Sequence, residues 1–370
     1  MNILFVTRRF PPSVGGMERY AYDLYSVISK RTNVVLVKWS GKSKWMHVLL
    51  LPYFFVRGFW ILLTQKIDVI HMQDGVLAPI GYILKLIFQK PLVVVIHGLD
   101  ITYQNPVFKL IVPWALRRAD KVICISSAAR DEVLKRGVSP EKVIVITLGV
   151  EDTLFTNDHQ ASRQRLIEAV GFPKEAHILV SVGRLVQRKG VSWFVDHVMP
   201  KLMHNDPHIV LLVAGDGVER EVIEQAIFRH GLDKHVYLLG RTTDAMRQDL
   251  YNGSDIFVMP NIVVPGDMEG FGLVLVEAAT CELPVVAAGI EGITDAIVDG
   301  RNGFLVESAN VEQFRNKILE ILQDKTSARL FGKQARGYTL EHYDWDIIAE
   351  AFTKEYTKLA DPIKLSRGMM

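Results

Sequence analysis

The stretch HIVLLVAGDG, residues 208–217, is an almost unbroken aliphatic run that ends in two glycines. Such a run is typical of a parallel β-strand covered on both faces, because a strand with one exposed face alternates apolar and polar residues. Similar runs alternate with helix-length amphipathic segments along the rest of the chain. The sequence therefore predicts an α/β fold in which crossover helices join parallel strands.

Two series of strands and helices follow one another. The first contains the runs NILFVT, NVVLVKW, DVIHM, LVVVIHG, KVICIS and KVIVIT, with helices predicted over 17–30, 45–65, 76–88, 106–118 and 127–136. The second contains HILVSVG, HIVLLVAGDG, VYLLG, IFVMP, PVVAAG and GFLVE, with helices predicted over 190–203, 218–229, 244–252, 272–281 and 311–323. This order predicts two Rossmann-like domains that face each other across a cleft, with ligands beyond the carboxyl ends of the strands.

The domain boundaries are placed where this pattern weakens. Residues 151–166, EDTLFTNDHQASRQRL, are polar and show no period, so we place the hinge in or just after them. We predict an N-terminal domain over 1–165, a C-terminal domain over 166–338 and a terminal helix over 339–360. A length of 370 residues suits two domains, since single cores rarely grow beyond about 250–300 residues.

Composition indicates a folded protein of a reducing compartment. Hydrophobic residues form 49% of the chain, and its two cysteines, Cys124 and Cys281, fit neither a disulfide framework nor a metal spacing. The opening MNILFVT has no basic residue before its apolar run, and we interpret it as a strand rather than a signal peptide. A cytoplasmic location is expected.

The apolar segment 45–63 is interpreted as a crossover helix rather than a membrane span. Pro52, Arg57 and Gly58 interrupt it, and spanning would bury the arginine at a cost of roughly 2.5 kcal/mol or more. Docking at a membrane interface, at the inner face of the cytoplasmic membrane, stays open because cations and tryptophans flank the segment, namely Lys42, Lys44, Trp45, Trp60 and Lys66.

Charge is divided unevenly between the two halves. Residues 1–150 carry 20 Lys and Arg against 9 Asp and Glu, which leaves 23 against 32 for the remainder. The basic N-terminal domain suits an anionic partner such as a phosphorylated lipid or a membrane surface, and a nucleic-acid partner is not expected. A chance cluster of solvated lysines is the alternative.

Dinucleotide and ATP-binding loops are disfavoured. VAGDGVERE places Gly215 and Gly217 after a strand, but Arg220 stands where the third glycine of the dinucleotide motif belongs. SVGGMERY contains no G-x-G, and SGKSK lacks the first glycine of a phosphate-binding ATPase loop.

Two glycine turns nevertheless suggest places where a ligand meets backbone N–H groups. Gly15 and Gly16 lie between the first strand and its helix, and EGFG, residues 269–272, precedes the helix that begins near Leu273. The absence of side chains allows an anion to approach a helix N-terminus there. A tight turn without a ligand is the alternative reading of Gly15 and Gly16.

Glu269 and Glu277 flank the second of these turns. On one continuous helix, eight residues would separate them by about 12 Å, whereas a glycosidase acid/base pair needs roughly 5 to 9.5 Å. We therefore predict that they contact two parts of one elongated ligand, since a carboxylate accepts hydrogen bonds from vicinal sugar hydroxyls. Arg184 and Lys189 of GRLVQRKG supply cations suited to a diphosphate.

At these residues the sequence resembles the retaining glycosyltransferases of the GT-B fold, family 4 type, also called glycosyl transferases group 1. The resemblance covers nearly the whole chain and includes PPSVGGMERYAYDL, HGLD, RRADKVICIS, VGRLVQRKG, AGDGVERE and EGFGLVLVEAATCELPVVAA. The E-x7-E segment together with the GR…KG segment makes it specific.

The resemblance implies that the C-terminal domain binds the nucleotide-sugar donor. Arg184 and Lys189 would bind its diphosphate at the helix start, Glu277 the ribose hydroxyls, and Glu269 the transferred sugar. The complete set implied to bind the donor is Gly16, Arg184, Lys189, Arg241, Thr242, Glu269, Gly270, Phe271, Gly272, Leu273 and Glu277.

The N-terminal domain would bind the acceptor, on a side lined by Gly15, Gly16, His97 and Asp100. His97, Glu269, Arg184 and Lys189 are the implied catalytic residues, with no metal and no cofactor. The terminal helix over 339–360 would cross back to this domain. The reaction implied is transfer of a hexosyl group from a UDP-hexose or GDP-mannose to a saccharide or lipid-linked hydroxyl, with retention, in cell-envelope polysaccharide, lipopolysaccharide or glycolipid synthesis.

Two other functions remain open on the same architecture, namely a nucleotide-sugar 2-epimerase and a non-catalytic nucleotide-sugar-binding subunit. The sequence leaves the base, sugar, acceptor, linkage and oligomeric state undetermined.

Overall fold

A computed structural model describes residues 1–13, 15–39, 46–102 and 105–361, with the side chains of 46–49 excepted. Lys42, Lys44 and Trp45, named above for the apolar segment 45–63, lie outside the described residues. The described chain divides into two compact units, and each is treated separately below.

The first unit contains six parallel strands in the order β2-β1-β3-β4-β5-β6. Its elements in chain order are β1 Asn2–Thr7, α1 Gly16–Ser29, β2 Asn33–Lys38, α2 Met46–Thr64, β3 Val69–Met72, α3 Ala78–Phe88, β4 Leu92–Ile96, α4 Leu99–Thr102, α5 Pro106–Leu116, β5 Lys121–Cys124, α6 Ser127–Lys135 and β6 Val143–Val145. The central strands are aliphatic because helices cover both faces of the sheet.

The second unit contains another six parallel strands, in the order β12-β11-β10-β7-β8-β9. Its elements are α7 His159–Val170, β7 His177–Val182, α8 Val191–His197, α9 Met199–Asn205, β8 Ile209–Ala214, α10 Arg220–His230, β9 Val236–Gly240, α11 Asp244–Gly253, β10 Ile256–Met259, α12 Leu273–Thr280, β11 Val285–Ala288, α13 Ile293–Ala296, β12 Phe304–Val306, α14 Val311–Gln323 and α15 Lys325–Tyr343. Both sheets confirm the predicted α/β fold with parallel strands.

The chain changes unit earlier than the sequence suggested. The first unit comprises 1–149, 266–271 and the segment from Trp345 onward, whereas the second comprises 150–265 and 272–344. The predicted boundary at 165 falls within α7, which packs against α11 in the second unit. The helix α16, Trp345–Ala360, belongs to the first unit and packs against α1, and it begins six residues after the predicted start at 339.

Two helices differ from their predicted form. The predicted polar hinge over 151–166 includes the first part of α7, which Asp158 caps at the N-terminus and Gly171 terminates with a φ of 86°. Only Ser162 and Leu166 of this helix are buried, so its apolar face is too narrow to produce a visible period. The single helix predicted over 190–203 is two, α8 and α9, because Pro200 cannot continue a helix through Val198.

Candidate active site

His97 lies at the carboxyl end of β4 with its orientation fixed by neighbours in the first unit. Its ring Nε2 is 2.7 Å from the backbone carbonyl oxygen of Gln73. A carbonyl only accepts, so Nε2 carries a hydrogen and Nδ1 of the neutral ring is left as an acceptor. Tyr20 packs edge-on against the ring, with centroids 5.3 Å apart. His97 is 7% exposed.

Asp100 is close to His97 but holds the backbone of the loop. Its carboxylate accepts hydrogen bonds from the N–H groups of His97 and Gly75, each at 2.9 Å. Burial raises the pKa of this carboxyl, and the hydrogen bonds from the two backbone N–H groups oppose that shift. Asp100 thus braces the turn that carries His97.

Gly15 and Gly16 lie at the start of α1, as predicted, but for different reasons. A side chain on Gly15 would collide with the carboxylate of Glu18, which forms a 3.0 Å ion pair with Arg9. Gly16 has open space within 4 Å of where its Cβ would be. A larger residue at position 15 would therefore displace the end of the Glu18 side chain, whereas Gly16 leaves room beside a helix N-terminus.

The segment 266–271, which carries Glu269, packs in the first unit against the loop of His97. Gly270 lies directly on the backbone carbonyl of His97, where a Cβ would overlap with the oxygen. Gly98, with a φ of 102°, leaves space for Met268, whose Sδ would be 3.2 Å from a Cβ there. These two glycines bring the buried Glu269 and Phe271 into the unit that holds His97.

Glu277 of the second unit is a buried carboxylate with a fixed orientation. It lies in α12, which begins at Leu273 after Gly272, whose φ of 88° only glycine adopts readily. The Tyr251 hydroxyl donates a 2.8 Å hydrogen bond to its Oε2. Burial, followed by the adjacent charge of Glu277, raises the pKa of Tyr251 well above its usual value, so this hydroxyl remains a donor.

Tyr251 was not predicted as a functional residue. In LYNGSD it is one tyrosine of a helix end, and its role follows from its hydroxyl reaching Glu277 of α12. The only signal in the sequence was the E-x7-E segment itself, since a buried glutamate requires a partner.

Arg184 and Lys189 lie together just beyond β7 in the second unit. Arg184 is exposed and Lys189 is half-buried, and with Gly183 they line a shallow depression at the end of that strand. Gly190 follows with a φ of 65°, in a position where a Cβ would overlap with the carbonyl oxygen of Pro260. The turn that displays Lys189 is therefore held against the loop after β10.

Arg241 and Thr242 follow β9, exposed and half-buried respectively. Because β7, β8 and β9 are parallel neighbours, Arg184 and Arg241 lie along one edge of the sheet. The predicted residues thus fall into two sets: Gly15, Gly16, His97, Asp100, Glu269, Gly270 and Phe271 in the first unit, and Arg184, Lys189, Arg241, Thr242, Gly272, Leu273 and Glu277 in the second.

Protein families match both halves of the chain. Residues 14–154 match the family described as Glycosyltransferase Family 4, and residues 162–338 match the family described as Glycosyl transferases group 1. The matched ranges include His97 and Asp100 in the first half, and Arg184, Lys189, Glu269 and Glu277 in the second.

Characterised and uncharacterised relatives align over most of the chain. The chain is 26% identical to the uncharacterized glycosyltransferase MJ1178 of Methanocaldococcus jannaschii, over 92% of this chain and 89% of that protein. It is also 26% identical to the GDP-mannose-dependent alpha-(1-6)-phosphatidylinositol monomannoside mannosyltransferase of Mycolicibacterium smegmatis, over 93% and 95%.

Solved structures share the fold. Anabaena Alr3699/HepE in complex with UDP and glucose is similar with a TM-score of 0.76 and 21% identity, over 96% of this chain and 99% of that one. Sucrose-phosphate synthase from Thermosynechococcus elongatus is similar with a TM-score of 0.80 and 21% identity, over 97% and 98%. At this identity the similarity establishes the fold alone.

Proposed function

Because the chain belongs to the GT-B glycosyltransferases of family 4, whose members use nucleotide sugars, we propose that it transfers a hexosyl group with retention from a UDP-hexose or GDP-mannose to a saccharide or lipid-linked hydroxyl. The observation that carries this proposal is Glu277. It is 5% exposed, one oxygen is held by Tyr251, and Oε1 has no hydrogen bond to any described residue. A carboxylate in this state suits the vicinal hydroxyls of a ribose.

The second unit supplies groups for the leaving nucleotide. Arg184 and Lys189 would neutralise the diphosphate, and the N–H groups of Gly272 and Leu273 would donate to it at the N-terminus of α12. Electrostatic stabilisation of the departing diphosphate by these groups would replace a metal ion. Arg241 and Thr242 would contact the base through their backbone.

The first unit supplies groups for the transferred sugar and the acceptor. Glu269 would bind the sugar, and His97 would present Nδ1 as an acceptor of a sugar hydroxyl. In the absence of a protein nucleophile, retention requires attack on the face that the diphosphate leaves, with a phosphate oxygen taking the acceptor proton. Gly16 and Asp100 would lie on the acceptor side.

An acceptor in cell-envelope polysaccharide or glycolipid synthesis, at the inner face of the cytoplasmic membrane, is consistent with this assignment. The mycobacterial relative acts on a phosphatidylinositol mannoside by its name, and the first unit is basic.

The test is a thermal-shift screen with UDP, GDP and ADP sugars. We expect one class to raise Tm, and we expect Glu277→Gln to abolish the shift while Glu221→Gln, which changes an exposed glutamate of α10, leaves it intact. Stabilisation by none of these donors would contradict the proposal. If the protein instead inverted C2 of the stabilising donor's sugar without any acceptor present, it would be an epimerase.

A further inference from the structure

We propose that the outer faces of α2, α3 and α5 form a docking surface for an anionic lipid bilayer. These helices expose large apolar side chains at Tyr53, Val56, Trp60 and Leu63, at Ile83, Leu86 and Ile87, and at Val107, Leu110, Ile111 and Trp114. The spacings on α2 and α5 place each set on one helical face. Leu110 is 74% exposed, Val56 62% and Trp60 60%, so none of the three is required by the core.

The surface is continuous across the three helices. Phe59 of α2 packs edge-on against Phe88 of α3, with centroids 5.2 Å apart, and Tyr82 of α3 packs against Trp114 of α5 at 4.9 Å. Of the 19 large apolar residues that the described chain exposes, 11 lie on this surface. A monomeric soluble protein rarely gathers so much exposed apolar area in one place unless something covers it.

The charges on the same helices indicate what covers it. Residues 46–66, 76–90 and 105–118 contain no Asp or Glu, and they carry Arg57, Lys66, Lys85, Lys90, Lys109, Arg117 and Arg118. Lys85 is paired with Asp120 at 2.7 Å, whereas Arg57, Lys66, Lys90 and Lys109 form no ion pair with a described residue. A second copy of the chain bound to this face would bring basic residues close to one another, and their repulsion disfavours a dimer here.

An anionic bilayer matches both properties. Each basic residue close to anionic headgroups contributes about 1 kcal/mol, and exposed Trp and Tyr such as Trp60, Trp114 and Tyr53 are favoured at the interface. Within the described ranges, no helix combines the length and apolarity needed to cross a bilayer. The three helices would therefore lie in the interface with their apolar faces about 5–10 Å deep.

This surface continues to the edge of the sheet that carries His97. The crossover helices of a parallel sheet begin at its carboxyl edge, where His97 follows β4 and α5 begins at Pro106. If the acceptor is lipid-linked, a point that rests on the proposed function, its lipid could stay in the bilayer while its head group reaches the first unit. The docking surface itself requires no such acceptor.

The test is co-sedimentation with vesicles of phosphatidylcholine alone or mixed with phosphatidylglycerol. We expect binding only to the anionic vesicles, weakening with salt. Val56→Glu combined with Leu110→Glu should reduce binding at least tenfold. The matched control, Val218→Glu with Phe228→Glu, changes residues of the second unit that are 83% and 84% exposed, and it should bind normally.

Three results would overturn the docking proposal. They are absent binding by the unaltered protein, equal losses in both double variants, and a dimer that depends on Val56 and Leu110. Vesicle binding is measured without a donor, so its failure is distinct from failure of the nucleotide-sugar screen.

A separate set of contacts assigns a positioning role to Tyr356 of α16. We infer that it orients His97 through His71 and Gln73. The Tyr356 hydroxyl donates to His71 Nδ1 at 2.8 Å, and His71 Nε2 donates to the Gln73 side-chain oxygen at 2.6 Å. The backbone carbonyl of the same Gln73 accepts from His97 Nε2.

Burial makes this connection well defined. Tyr356 and His71 are fully buried, and Gln73 is 2% exposed. His71 stacks on Phe5 with centroids 4.3 Å apart, so its ring cannot turn freely. A neutral imidazole has one donor and one acceptor, and both are used here.

The test is Tyr356→Phe, with Tyr237→Phe as control because that hydroxyl only donates to the Lys234 carbonyl in the second unit. We expect kcat to fall about tenfold with donor KM within twofold, and the imidazole nitrogen NMR signals of His97 to move. Unchanged kcat with unchanged His97 signals would refute the inference. The role of His97 in turnover rests on the proposed function, but the NMR signals report its orientation without turnover.

Discussion

Replacing Gly270 with alanine should separate the segment that carries Glu269 from the loop of His97. Cβ atoms in proteins stay at least 3.0 Å from neighbouring heavy atoms, and a Cβ on Gly270 would come about 0.7 Å closer than that to the His97 carbonyl oxygen. It would also lie 3.2 Å from Ile125 Cδ1. The oxygen belongs to the backbone, so no side-chain rotation relieves the overlap. Gly270 does not adopt a left-handed φ, so the overlap is the whole perturbation.

The expected effect follows from that displacement. A shift approaching 1 Å between catalytic groups costs about 100-fold in rate, and overpacking costs about 1–3 kcal/mol of stability. We expect kcat to fall between about 10-fold and 100-fold, with a smaller change in donor KM and a Tm lower by several degrees. Steady-state kinetics with the donor found by thermal shift, and calorimetry, measure both.

Gly337→Ala is the matched control. Gly337 lies in α15, is exposed, and has open space around its Cβ position. Alanine there should stabilise the protein by about 0.5–1 kcal/mol and leave kcat unchanged. If Gly270→Ala also kept the original kcat and Tm, then residues 266–271 would not pack on His97. The placement of Glu269 near His97 would then be wrong as well.

Three further outcomes are expected. Tyr251→Phe removes the donor to Glu277 and should weaken donor binding by about 10-fold to 100-fold, since hydrogen bonds to charged groups contribute about 1.5–3 kcal/mol; an unchanged calorimetric Kd would contradict this. Glu269→Gln should lower kcat more than donor affinity if the carboxylate places the sugar for reaction, whereas a change in affinity alone would limit it to binding. Burial lowers the pKa of His71 from 6.5 to about 4, so between these values the unfolded chain binds one more proton than the folded chain. The free energy of unfolding should therefore decrease as the pH is lowered from 6.5 to 4, by up to about 1.4 kcal/mol per pH unit. If urea unfolding of His71→Gln showed the same pH dependence, this expectation would be refuted.

The strands of both sheets could be predicted because burial on two faces leaves aliphatic runs, and β4 is an example with all five residues buried. Helix α7 could not, because it buries only Ser162 and Leu166, and much of its contact with α11 is polar, such as the ion pair between Arg165 and Asp249. The predicted boundary near residue 165 lies inside α7 for that reason, since a helix with two buried residues shows little hydrophobic period.

For the candidate site too, some features could be predicted from the sequence and others could not. The spacing of Glu277, Arg184 and Lys189 makes them candidates from the sequence, and one family match spans all three. Tyr251 and the contact between Gly270 and His97 depend on which elements become neighbours, and neither has a spacing that marks it. Gly15 shows the opposite case, since the space beside this glycine, which suggested a ligand, is occupied by the carboxylate of Glu18.

The discontinuous first unit has a practical consequence for recombination between relatives. Exchanging the first 149 residues alone would set a foreign His97 loop against the native Gly270, and foreign partners against Trp345, whose ring lies on Gly149. A chimera that keeps these surfaces matched must take 1–149, 266–271 and α16 from a single parent. If acceptor preference resides in the first unit, transferring it to another relative would require exchanging three separate segments of the gene.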